Sequence, residues 1–140
     1  MANKKEEQVA TDDAVLLMFL SLVEEEGIEV AITLNVGGAV VSGTLIGASA
    51  YYEGIKESSK DIQDSTMSKI ITKKFTDLNE GYLKQKQEQD NKEDKENTAT
   101  FIHLKEARYL GTSGQPTTNS VNWWRGKISS VDGFSFDFLV

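Results

Sequence analysis

Apolar positions recur with two different periods along the chain. In AVLLMFLSLV, Ala14 to Val23, the residues Val15, Met18, Phe19, Leu22 and Val23 stand three and four apart, the spacing of one helix face. Leu16, Leu17 and Leu20 add apolar area on its flanks. Thr11 stands where an N-cap belongs, with Asp12 and Asp13 in the first turn, where the helix dipole favours anions. Gly27 closes the helix after Glu24, Glu25 and Glu26, and three acids at that end oppose the dipole. The period then changes to two. Ile28, Val30, Ile32 and Leu34 alternate with Glu29, Ala31, Thr33 and Asn35, which predicts a half-buried strand. Asn35-Val36-Gly37-Gly38 is a hairpin signal, because adjacent glycines take positive φ without steric cost.

The next run, AVVSGTLIGASAYY, reads as a second strand, and Gly43 and Gly47 within it predict sharp bending. Met67, Ile70, Ile71, Phe75, Leu78 and Tyr82 share one helix face, which predicts a helix from Ser59 to Lys84. Lys84 to Asn97 holds no apolar residue and reads as a solvated helix tail or a linker. FIHLKEARYL, Phe101 to Leu110, returns to strand character. Ile102 and Leu104 share one face, and Ala107 and Tyr109 fall on the other unless a bulge intervenes. GTSGQPTTNS is a turn-rich loop. Val121 to Ile128 is a further strand, and Asp132-Gly133 turns it into the final FSFDFLV.

This order predicts an α+β fold: a small, strongly bent antiparallel barrel or curled sheet of about five strands, Sm-like or SH3-like, with an N-terminal helix and a helical insertion. The 140 residues fit one domain. It divides into a polar lead over 1–10, the helix over 11–27, first strands over 28–56, the helical and charged insertion over 57–97 and last strands over 98–140.

Composition narrows the function. The chain has no cysteine and a single histidine, His103, so thiol chemistry, disulfides, histidine-cluster metal sites and a Ser-His-Asp triad have no material to work with. His103 lies in a strand and reads as a hydrogen-bonded structural imidazole. No nucleophile elbow or phosphate-binding glycine loop is present, so the expectation is a non-enzyme without cofactor or metal. The apolar run of Ala14 to Val23 is ten residues long. A membrane span needs about 20. No secretory pattern precedes that run, so a cytoplasmic location without membrane contact is expected. The net charge is −7, with −5 in the first 26 residues and +1 in the last 43. That balance suits phosphate backbones poorly and makes nucleic acid an unlikely partner.

Two places offer contact surface. Trp123, Trp124 and Arg125 are adjacent, so strand alternation sends the two indoles to opposite faces. With Trp124 inward beside Ile128, Trp123 and Arg125 share the outer face as a cation–π pair and an interface anchor. Leu16, Leu17 and Leu20 widen the helix stripe past what a small barrel covers, so that face is expected to meet a second copy.

Three blocks carry a resemblance: NVGGAVVSGTLIGASAYYEGI, FIHLKEARYL and WWRGKISSVDGFSF, in that order. Together they resemble the gas vesicle accessory protein U family of bacilli and relatives. The resemblance implies a non-enzymatic bacterial accessory protein, encoded with gas vesicle genes and associated with vesicle clustering. Its implied partners are itself, as a homo-oligomer, and the gas vesicle surface or shell proteins. It brings no catalytic residue. A weaker likeness to Sm-like small barrels implies the alternative of a module binding nucleic acid or another protein.

Overall fold

The computed structural model describes residues 13–90, 100–111 and 122–137. Five strands, β1 (Val30–Val36), β2 (Ala39–Ile46), β3 (Phe101–Leu110), β4 (Asn122–Lys127) and β5 (Val131–Phe136), form one antiparallel sheet in the order β4-β3-β2-β1-β5. Helix α1 (Ala14–Glu25) precedes it, while α2 (Ala48–Ser59) and α3 (Ser65–Asp90) lie between β2 and β3. The α+β class and the five strands agree with the sequence. Closure into a barrel does not occur: β4 and β5 end the sheet at opposite edges.

One sheet face packs on α1. Ile32, Leu34, Leu45, Ile102 and Leu104 are fully buried there beneath Leu16, Leu20 and Val23. A side chain of this size stabilises by roughly 1.5–3 kcal/mol when fully buried. The alternation in β1 is regular: Val30, Ile32 and Leu34 are buried, while Ala31 and Asn35 are exposed. Gly37 (φ 57°) and Gly38 (φ 87°) make the two-residue hairpin turn to β2, as the double glycine predicted. The Gly37 N–H donates to Asp132 Oδ2 at 2.8 Å. Asp132 and Gly133 lie within β5 and make no turn; the short 3-10 segment Ile128–Ser130 connects β4 to β5, which run in the same direction at opposite edges of the sheet.

β3 does contain a bulge. Glu106 takes φ 53°, and the pairing shifts between Leu104 and Ala107. The extra residue returns Ala107 to the α1 face, where it is buried. Gly43 is the complement of this bulge. A Cβ there would stand 3.0 Å from the Lys105 carbonyl oxygen and 3.1 Å from Ala107 Cα. Gly43 thus admits a bulged neighbour.

Three boundaries need correction. β2 stops at Ile46, and ASAYY belongs to α2, with Gly47 as its N-cap. The insertion is a pair of helices that starts at Ala48, not one helix over 59–84. The cap of α1 is Asp13, whose Oδ1 accepts from the N–H groups of Val15 (2.8 Å) and Leu16 (3.3 Å). Thr11, the lead over 1–10, the stretch over 91–99 and the loop over 112–121 lie outside the described residues.

Candidate functional site

The second sheet face is covered at the β3–β4 side by α2, and α3 lies on α2. The seam is aromatic. β3 turns Ile102 and Leu104 toward α1, so His103 points the other way, into rings supplied by α2. Tyr51 and Tyr52 lie 4.7 and 6.2 Å from the imidazole, and Trp123 lies 6.5 Å from Tyr51 (ring centroids). Tyr52 continues the contact outward to Tyr82 and Phe75 of α3, at 6.0 and 6.4 Å.

His103 is 4 % exposed. Its Nε2 is buried and has no hydrogen-bond partner among the described residues, which corrects the expectation of a hydrogen-bonded imidazole. Burial lowers its pKa to about 4, and the Arg125 charge, opposite it across the β3–β4 pair, acts in the same direction. The ring is neutral near pH 7. Burial also raises the Tyr51 phenol, against the pull of Arg125 and with Tyr52 adding to the rise.

The Trp-Trp-Arg stretch divides across the strand. Trp124 faces the α1 side beside Leu104, lies over Gly126, and donates from Nε1 to the Tyr109 hydroxyl at 3.0 Å. A Cβ at Gly126 would come within 2.4 Å of that indole, which is why glycine follows Arg125. Trp123 faces α2, covers Gly54, and donates from Nε1 to Ser58 Oγ at 3.1 Å. Both indoles are half-buried. Arg125 is exposed, and its guanidinium carbon sits 4.0 Å from the centre of the Phe101 ring. The cation–π partner is therefore Phe101, because Trp123 is engaged by α2.

The predicted contact face of α1 also changes. Leu16 and Leu20 are 2 % and 4 % exposed and belong to the core, and Leu17 is half-buried against it. Neither Leu16 nor Leu20 is available to a second copy. Val15 and Met18 are the exposed large apolar side chains of this helix.

Glu24 ties the layers together. Its Oε1 accepts from the Ala48 N–H at 2.6 Å, its Oε2 from the Tyr82 hydroxyl, and its backbone oxygen from Lys86 Nζ at 2.8 Å. An acid that opposes the dipole of α1 is favourable at the N-terminus of α2, where N–H groups lack partners. Asn79, buried in α3, completes the tie: Ser49 donates to it at 3.0 Å, and it donates to Glu53 at 2.8 Å. Sequence reasoning missed Glu24 and Gly54. The surplus of acid at the end of α1 was the one signal pointing to Glu24.

Among the described residues no group of three or more metal-ligating side chains converges. No described helix is long and apolar enough to cross a membrane. Beside the aromatic seam stand one exposed Arg-on-Phe pair and the long helix α3.

No curated protein and no solved structure matches the chain. The family model described as gas vesicle protein GvpU-like matches residues 13–139, so its span contains the sheet, the three helices and the aromatic seam. This chain belongs to the GvpU-like gas vesicle protein family.

Proposed function

We propose that this chain is a non-enzymatic accessory protein that self-associates and clusters gas vesicles in the cytoplasm. The match to the gas vesicle family over residues 13–139 carries the reading. The surface supports the manner. Arg125 on Phe101 is an exposed cation–aromatic pair of the kind that anchors interfaces. Helix α3 stands on α2 and exposes Met67, Ile70 and Leu78. Clustering requires each unit to hold at least two particles, and self-association provides the second contact. Many weak contacts then add through multivalency.

A deletion strain of a vesicle-forming host tests this. It is expected to form intact but dispersed vesicles, and expression of this chain is expected to re-cluster them. A strain lacking vesicles altogether would make the protein an assembly factor. Clustering unaffected by the deletion would remove the reading.

A further inference from the structure

The outer face of α3 raises a question that its packing on α2 leaves open. Met67, Ile70 and Leu78 are 49 %, 55 % and 52 % exposed, and at helical spacing they form one row with Lys74 between them. Gly81 extends the same row. It interrupts a helix of 26 residues, where glycine is less stable than alanine, yet a Cβ there would meet nothing within 4 Å. No contact among the described residues accounts for a glycine at this point.

We propose that this row is a two-fold interface in which α3 pairs antiparallel with α3 of a second copy. A two-fold axis at Lys74 sets Ile70 against Leu78 of the second copy and Met67 over its Gly81. Both pairs fall in the same register. The glycine then has a reason, since a small residue lets two helices approach closely.

Charge selects the antiparallel sense. The stretch over 65–76 carries Lys69, Lys73 and Lys74 and no acid, and Asp77 and Glu80 follow. Antiparallel pairing sets Lys69 and Lys73 beside Glu80 and Asp77 of the second copy and brings only the two Lys74 side chains together at the axis, whereas parallel pairing sets every cation against its like. Lys74 has no ion-pair partner among the described residues and reaches Asp77 of the second copy. The Lys73–Asp77 contact within the helix is 3.4 Å long and solvent-exposed, so Asp77 keeps acceptor capacity for it.

This inference rests on the self-association reading and names its surface. Sedimentation of the full chain tests it, with circular dichroism as a check on folding. The wild type is expected to be a dimer or a larger even species. Ile70→Glu is expected to weaken pairing by roughly tenfold or more, the scale of one lost anchor. Lys74→Glu and Asp77→Lys are each expected to weaken it, and the two combined to restore it, because the pair is exchanged across the axis. Gly81→Leu is expected to raise the melting temperature of the fold while weakening association. Association that survives Ile70→Glu and Gly81→Leu would overturn this interface and leave self-association standing. A monomeric wild type would overturn both, and loss of vesicle binding in Ile70→Glu would then assign the row to the vesicle. A monomeric Ile70→Glu that still clusters vesicles would support the interface and remove self-association from the clustering mechanism.

Discussion

Gly54→Ala is expected to destabilise the protein by about 2 kcal/mol, although alanine is the better helix former. On an open helix face the same change would stabilise by roughly 1 kcal/mol. Here the new Cβ would stand 2.1 Å from Cη2 of Trp123, with two more ring atoms at 2.4 and 2.5 Å. The indole is rigid, so it must leave as a unit. It would abandon its bond to Ser58 and its edge contact with Tyr51. The sign is therefore set by the ring. In a Trp123→Leu background the clash disappears, and Gly54→Ala is expected to become neutral or stabilising. Urea unfolding of the four proteins in this cycle measures the coupling. The same cost in both backgrounds would show that Trp123 does not seat α2.

The second large effect is on acid stability. His103 titrates at about 4 in the folded chain and near 6.5 when unfolded. Between those values the unfolded chain binds a proton that the folded chain refuses. Stability therefore falls as pH drops through this window, by up to about 3 kcal/mol for this one group. Above about pH 7 both states are neutral and the group contributes no slope. Replacing the imidazole by an apolar ring removes the titration and the unpaired Nε2 together. His103→Phe is expected to lose much less stability than wild type between about pH 7 and about pH 4.5, with other carboxylates contributing alike to both. Parallel losses in the two proteins would mean that His103 is solvated in the folded state.

The legible and illegible parts of the fold differ in the range of the cause. β1 was readable because its alternation is local and one face is buried: Val30, Ile32 and Leu34 inward, Ala31 and Asn35 outward. The hairpin was readable because Gly37 and Gly38 state their own conformation. The buried side of α1 was not. Nine of the ten residues from Ala14 to Val23 are apolar, so helical spacing admits more than one stripe, and the core takes Leu16, Leu20 and Val23. The start of α2 was hidden for another reason. Its Ala48 N–H is held by Glu24, which is 24 residues away in sequence. No local pattern announces such a cap, and the strand-like Val40 to Ile46 runs straight into it. The Trp-Trp-Arg stretch was half legible. Alternation separated the indoles correctly, but the partner of Arg125 depended on Phe101 arriving from β3.

The proposed role in clustering is tested most directly with purified components. Isolated, dispersed gas vesicles are mixed with this full chain and followed by microscopy and light scattering. The account predicts that the chain binds the vesicles and gathers them into clusters. It further predicts that clustering rises with protein concentration, and that Ile70→Glu binds vesicles yet leaves them dispersed. A wild-type chain that sediments with vesicles and leaves them dispersed at every concentration would contradict it.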